Sequence, residues 1–193
     1  MNKKILIAVL CIGLGAVIYF LSSWPTKPAI PAKLNIPTTS LEESICERVT
    51  AQFGDCQKIL LFDAHSNLVF AENSSGISPV LTNKEFTKFK QFIFPMMDFQ
   101  EFKEEKVERG PIDWRAKNHI QKDLSVIYGF AEDEAKTIVI NSEGNIQPNR
   151  FLVRDHLWVW YAVFQKDKVT LPVKVTVYNS EGQIIFGGNG KKE

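Results

Sequence analysis

A long uncharged segment near the start of the chain places the strongest constraint on how this protein can fold. After Lys3 and Lys4, residues 5–24 hold no charged side chain and are mostly aliphatic. A helix of about 20 residues rises about 30 Å, the thickness of the hydrocarbon core of a bilayer. Lysines favour the cytoplasmic side of a membrane, and Tyr19 and Trp24 suit the opposite interface. The sequence therefore predicts a single-pass cell-membrane anchor at residues 1–24, with the chain continuing outside the cytoplasm.

Two other interpretations of this segment remain open. A cleaved signal peptide also has a basic start and an apolar run, but cleavage requires small residues one and three places before the cut. At two candidate cleavage sites the residue three places before the cut is large, namely Leu21 or Ile30. Lipid modification of Cys11 is disfavoured because the bulky Leu10 precedes it. An uncleaved signal-anchor is the favoured interpretation.

The segment that follows is predicted to be a spacer. Residues 25–38 contain four prolines, and each proline fixes φ and lacks a backbone donor, so neither a helix nor a sheet ladder can form. Charges of opposite sign are nearly balanced in the spacer and outer region, which carry 21 Lys plus Arg, the 23 of the whole chain without Lys3 and Lys4, against 22 Asp plus Glu. A nearly neutral surface argues against a nucleic-acid partner.

Capping patterns predict two helices in the first half of the outer region. A capping box at Ser40 followed by apolar residues at helical spacing predicts a helix over residues 41–52. A second capping box at Thr82 predicts a helix that Pro95 ends. The charged residues 101–109 fit a helix and a solvent-facing strand equally well.

Short apolar and β-branched segments predict strands in two groups. Residues 59–62 and 68–71 predict a hairpin, and residues 73–79 predict a loop. The overall expectation is an α+β chain in which a helix and hairpin part, residues 39–123, precedes an antiparallel β-sandwich-like part, residues 124–193, after one transmembrane helix. The sandwich or small barrel is predicted from six further segments at residues 124–130, 135–140, 150–154, 157–164, 173–178 and 183–186.

Two stretches of the second part carry a resemblance. Residues 128–140, together with residues 177–185, resemble bacterial immunoglobulin-like repeats and uncharacterised membrane-anchored proteins of Gram-positive bacteria. In such domains a strand that follows a small-residue turn is closed later in the chain by a hairpin around an acidic-Gly turn. The resemblance implies an immunoglobulin-like β region and no activity or functional residue.

Cys46 and Cys56 are the cysteines beyond the membrane segment. An oxidising exterior would allow them to form a disulfide if their Cβ atoms meet. Two separately buried thiols are the alternative. A zinc site is disfavoured because no Cys-x-x-Cys pair or matching histidine spacing accompanies these residues.

The sequence contains little that indicates catalysis. A catalytic histidine needs an orienting carboxylate and a nearby Ser or Cys. Asp63 and His65 would share a face if the predicted strand extends that far. His119 and His156 have no comparable arrangement, and the acidic residues 132–134 read as a solvated turn. We therefore expect no catalytic residue, no metal and no cofactor.

Residues 157–164 are apolar on both faces of the predicted strand. One interpretation is a central strand covered by the opposing sheet and by the first part of the chain. The other is that Trp158 and Trp160 form an exposed aromatic platform, which could stack on sugar rings or anchor a protein partner.

These observations favour a membrane-tethered, extracytoplasmic interaction or scaffold module without enzymatic activity. Its expected partners are the membrane, through the N-terminal helix, and an envelope protein or cell-wall glycan. The alternatives are a cell-envelope hydrolase or transferase, with its site assembled from distant residues, and a sensor of a small ligand.

The predicted topology can be tested with protease. Protease added to intact, wall-stripped cells should remove the outer region, because residues 25–193 are expected to lie outside the membrane. Immunodetection of the cleaved chain measures the result. Full protection would contradict the outward orientation, and recovery of the protein in culture medium would instead favour a cleaved signal peptide.

Overall fold

A computed structural model of the chain describes residues 38–188. These residues belong to one compact unit, Ile36–Glu193. The predicted anchor at residues 1–24 lies outside the described range. The predicted spacer at residues 25–38 also lies outside it, except for its last residue, Thr38, which instead begins the first helix. Within that range, neither helix has the length and apolar character needed to cross a membrane.

The first helix, α1, is Thr38–Phe53, which confirms the helix predicted for residues 41–52. It ends where Gly54, at φ +99°, donates its backbone N–H to the Thr50 carbonyl at 2.9 Å. Cys46 on α1 forms a disulfide with Cys56 just after the helix, with their Cα atoms 5.2 Å apart. Apolar residues at i, i+4 spacing form the buried face of the helix. They are Leu41, Ile45 and Val49.

The first sheet is antiparallel and contains the predicted hairpin, which is confirmed. The order of its main strands is β1-β2-β3-β4, and β5 also pairs with β3. The strands are β1 Lys58–Asp63, β2 Leu68–Glu72, β3 Gly76–Thr82, β4 Phe89–Phe92 and β5 Met97–Asp98.

The loop predicted for residues 73–79 is wrong, because β3 begins at Gly76. The Asn73 side chain closes a tight turn, since its Oδ1 accepts hydrogen bonds from the backbone N–H groups of Ser75 at 2.8 Å and Gly76 at 2.9 Å. Because the turn takes only a few residues, the chain reverses directly and β3 pairs with β2.

The helix predicted to start at Thr82 is also wrong. Asn83 Oδ1 accepts hydrogen bonds from the backbone N–H groups of Thr87 and Lys88, both at 2.8 Å, and this turn sends the chain back as β4. Phe86 has φ +50°, which a helix does not allow. The apolar spacing that suggested a helix instead places aromatic side chains against α1.

The second helix, α2, is Phe99–Arg109. Residues 101–109, which fit a helix and a strand equally well in the sequence, are therefore helical. Asp98 caps the start of α2 by accepting hydrogen bonds from the backbone N–H groups of Gln100 and Glu101 at 2.8 and 2.9 Å. Because α2 buries little besides Phe102, its apolar periodicity in the sequence is weak.

Two more antiparallel sheets follow, and the six predicted strands are confirmed. The second sheet has the order β6-β7-β10-β9 and the third has the order β12-β11-β8. The boundary expected between residues 123 and 124 falls in the turn of the β6–β7 hairpin, where Gln121 pairs with Leu124. The strands are β6 Arg115–Gln121, β7 Leu124–Glu132, β8 Thr137–Ile140, β9 Asn149–Arg154, β10 Leu157–Phe164, β11 Val175–Tyr178 and β12 Ile184–Phe186.

Strand β10 lies at the centre of the layers and is buried on both faces. Val159 and Tyr161 pack into the core shared with the first sheet. Trp160 and Ala162 pack into the core shared with the third sheet. The layers therefore follow the order α1, first sheet, second sheet, third sheet. This arrangement confirms the interpretation of residues 157–164 as a covered central strand.

An ion pair joins the first and second sheets at the end of β2. The Glu72 side chain is 3% exposed, and its Oε1 accepts hydrogen bonds from Arg154 Nε at 3.0 Å and Nη2 at 2.8 Å. Lys58 Nζ lies 3.4 Å from the other carboxylate oxygen. The Arg154 guanidinium also lies 3.8 Å from the centre of the Phe99 ring, which links α2 to the same contact.

Substitution of the two β10 tryptophans should have unequal effects. Trp160→Ala should lower the free energy of unfolding by about 3–5 kcal/mol, because it opens a cavity in a fully buried core. Trp158→Ala should cost no more than about 2 kcal/mol, because this ring is only partly buried. Urea unfolding followed by circular dichroism measures both values. Equal costs would contradict the central position of β10.

Candidate functional site

The three histidines lie apart from one another. The Nδ1 atom of each is 3.7 to 3.9 Å from an aspartate carboxylate oxygen, and the His65 side chain is fully exposed. Among residues 38–188, no histidine ring forms a hydrogen bond to a Ser or Cys side chain. The pairs are His65 with Asp63, His119 with Asp167, and His156 with Asp133.

The aromatic platform expected from Trp158 and Trp160 does not form. Trp160 has no exposed surface, because its ring lies between the second and third sheets. Trp158 is half-buried and donates from Nε1 to Asp133 Oδ1 at 3.2 Å. The Arg150 guanidinium lies 4.7 Å from the centre of the Trp158 ring and occupies its face.

The acidic turn at residues 132–134 pairs with lysines. Glu132 accepts a hydrogen bond from Lys106, and Asp133 lies 3.0 Å from Lys136 Nζ. The hydrogen bonds from Lys136 and Trp158 lower the pKa of Asp133. In the described part of the chain, no three potential metal ligands come together.

A cleft of about 450 Å³ lies between the end of α2, the segment 110–114 and β12, and we call it the Trp114 cleft. Trp114 and Phe186 form its aromatic wall, with ring centres 5.6 Å apart at an interplanar angle of 76°. A second recess of about 490 Å³ also uses Trp114 as part of its lining. The residues that line the Trp114 cleft are Glu108, Arg109, Ile112, Asp113, Trp114 and Phe186.

The backbone of residues 111–114 is fixed along β7. The Pro111 carbonyl accepts a hydrogen bond from the Glu132 N–H at 2.9 Å, and the Asp113 N–H donates to the Phe130 carbonyl at 3.1 Å. Ile112 forms an isolated bridge with Ala131. Trp114 therefore extends from a backbone that is held like an added strand.

The Asp113 side chain strengthens this attachment. Its Oδ1 accepts from the Phe130 N–H at 2.5 Å, and its Oδ2 accepts from Arg115 Nη1 at 2.6 Å. Arg115 Nη2 donates to Glu101 on α2 at 2.7 Å. Burial raises the pKa of Asp113, although the Arg115 guanidinium acts in the opposite direction. Burial acts to lower the pKa of Arg115, but the carboxylates of Asp113 and Glu101 raise this pKa above its ordinary value.

Trp160 supports the same backbone from inside the core. Its Nε1 lies 3.1 Å from both the Asp113 and the Phe130 carbonyl oxygens, to which it donates. Gly129 allows the close approach, since a Cβ atom there would lie 2.1 Å from the Asp113 carbonyl oxygen. Trp160 is thus a positioning residue behind the cleft and lies outside its lining.

The position of Phe186 in the aromatic wall depends on the end of α2. Gly110 ends the helix at φ +90° and donates its N–H to the Lys106 carbonyl at 2.9 Å. A Cβ atom at Gly110 would lie 3.1 Å from Phe186 Cδ2, so a larger residue would push this ring away. The glycine therefore lets Phe186 approach and close one side of the cleft.

The chemistry of the cleft suits binding of an apolar or flat group. The two aromatic rings supply apolar contacts, while Glu108 and Arg109 supply one charge of each sign. Ile112, although part of the lining, is almost fully buried. A flat sugar face or an apolar side chain fits such a lining. The Asp113 carboxylate is already engaged by Phe130 and Arg115, and the lining contains no Ser, Cys or His.

Trp114 is a candidate site residue that no sequence pattern indicates. The tryptophan follows Pro111 and precedes β6, so it belongs to no periodic apolar pattern that would mark it. Its position depends on hydrogen bonds to β7, which no local spacing predicts. The feature of the sequence that could have indicated a site here is a tryptophan in a short segment between a charged helix and a strand.

Comparison with known proteins finds no family model, no curated protein and no solved structure that matches this chain.

The attachment of residues 111–114 can be tested at Asp113. Asp113→Ala should lower the free energy of unfolding by about 3–5 kcal/mol, because it leaves the Arg115 cation mostly buried without its closest partner. Glu101→Ala removes the other, half-exposed partner of Arg115 and should cost less than about 1 kcal/mol. Urea unfolding of the two variants provides the comparison. Equal losses would show that Asp113 does not hold the segment.

Proposed function

We propose that this chain is a membrane-tethered, extracytoplasmic interaction module without enzymatic activity. The predicted anchor at residues 1–24 and the predicted proline-rich spacer that follows it hold the folded domain outside the membrane. The Trp114 cleft binds an envelope protein or a cell-wall glycan. The single observation that carries this proposal is an aromatic cleft whose central tryptophan is fixed in place by the core of the domain.

Preorganisation supports a binding role for the cleft. An interaction loses affinity when flexible groups must become ordered on binding. Trp114 follows a backbone held by Glu132, Phe130 and Trp160, so little ordering remains to be done. A rigid tryptophan in a partly enclosed site is the kind of residue that dominates binding energy in protein interfaces.

The residue types in the cleft support binding more than catalysis. Hydrolysis or group transfer requires a nucleophile or an activated water beside a general base. The charged residues of the lining are Glu108, Arg109 and Asp113, and Asp113 is committed to structural hydrogen bonds. No observation within residues 38–188 specifically favours the hydrolase or the small-ligand sensor.

Two features support an extracytoplasmic position. The Cys46–Cys56 disulfide suits an oxidising compartment. The uncharged segment at residues 5–24 follows two lysines, which favours an outward orientation of everything after it.

The binding role of Trp114 can be tested with a matched pair of tryptophan variants. Trp114→Ala should weaken sedimentation with purified cell wall, or crosslinking to a defined envelope protein, by about 30-fold because it removes the main contact residue. Trp158→Ala replaces another half-buried tryptophan and should leave binding unchanged. Thermal melts confirm that both variants remain folded. Equal binding by both variants and the unchanged protein would exclude the cleft.

A further inference from the structure

The first sheet ends in an open edge at β4. Among residues 38–188, β4 pairs with β3 and with no other strand. The Ile93 N–H donates to the Pro79 carbonyl at 2.8 Å, so the alternation of an antiparallel ladder directs the N–H and carbonyl of Phe92 away from β3. Unpaired backbone groups of this kind can accept an additional strand.

Aromatic side chains form a strip along the α1 side of this edge. Phe92 lies 5.0 Å from Phe89, 5.9 Å from Phe94 and 5.4 Å from Phe53, measured between ring centres. Phe94 is 45% exposed, and the other three rings are half-buried. An apolar side chain arriving beside β4 would therefore meet a preformed aromatic surface.

Positive charge is concentrated at the same edge. Lys84, Lys88 and Lys90 are exposed, and no carboxylate oxygen within residues 38–188 lies within 4.0 Å of their Nζ atoms. The Arg48 guanidinium lies 4.6 Å from the centre of the Phe89 ring. The carboxylate in this segment is Glu85, which accepts a hydrogen bond from Asn83. The edge is therefore basic, although the chain has a formal net charge of only +1.

The edge is also held in an extended shape before any partner arrives. Gln91 Nε2 donates to the Ile120 carbonyl on β6 at 2.7 Å, which ties β4 to the second sheet. Phe89 and Phe92 pack against the core beneath α1. An incoming strand would meet a fixed template.

We propose that β4 is a docking strand for an extended, acidic segment of another protein. The segment adds to the first sheet through backbone hydrogen bonds, its apolar side chains contact the phenylalanine strip, and its carboxylates face Lys88 and Lys90. A second copy of this chain is a poor occupant, because the lysines of two β4 strands would repel each other. This site is separate from the Trp114 cleft and stands on different observations.

A peptide experiment tests the proposal with the full chain in uncharged detergent. The probe is a short fluorescent peptide of alternating glutamate and valine, and binding is measured by fluorescence anisotropy at low salt. Reversing both charges with Lys88→Glu and Lys90→Glu should weaken binding about tenfold or more, because two attractions become repulsions. The matched control, Lys103→Glu with Lys168→Glu, reverses two exposed lysines elsewhere and should have little effect.

Methylation of alternate backbone nitrogens distinguishes strand addition from simple charge attraction. A peptide methylated along its pairing edge keeps its charge and side chains but loses the donors, so binding should fall about tenfold or more. Equal binding of the methylated peptide, or equal weakening by the control lysine pair, would overturn the proposal. Absence of binding by the unmodified peptide would also overturn the proposal. The lysines would then be explained as residues that prevent other strands from pairing with β4. Trp114→Ala should not change peptide binding, so the two sites can fail independently.

Discussion

Burial of β10 on both faces is the constraint on which the rest of this structure depends. A strand covered on both faces must be apolar along its whole length, and residues 157–164 meet this requirement. One face of β10 forms the core with the first sheet, and the other forms the core with the third sheet. The chain can therefore stack three sheets and α1 as successive layers. At the centre of the second sheet, both faces are covered by neighbouring sheets.

The Trp114 cleft is a consequence of this central burial. Trp160 points into the core from β10, yet its Nε1 needs a hydrogen-bond partner because a buried donor without one is costly. The Asp113 carbonyl supplies that partner, and Gly129 provides the space for the close approach. Core packing and the placement of Trp114 are thus coupled through a few hydrogen bonds.

The errors of sequence analysis share a physical cause. Apolar residues around Thr82 fit helical spacing, but the side chain of Asn83 offers the backbone a tight turn and reverses the chain. The same competition at Asn73 converts a predicted loop into a hairpin. At Asn83 the asparagine hydrogen bonds outweigh a weak periodic signal, and at Asn73 they confine the turn to a few residues. The spacing of Trp158 and Trp160 places both on one face of β10, whereas their exposure depends on which sheets cover that face.

The sequence by itself determined the features that depend on local pattern. Helix α1, the β1–β2 hairpin and the six strands of the second half followed from periodicity and turn residues, because apolar spacing and turn chemistry are local properties of the chain. The apolar character of both faces of β10 was also evident from the sequence. Only the tertiary structure decided that Trp160 is buried, that Trp114 lines a cleft and that β4 lies at an open edge. These properties depend on contacts between residues far apart in sequence, such as Trp160 with Asp113 and Gln91 with Ile120, and local spacing carries no information about them.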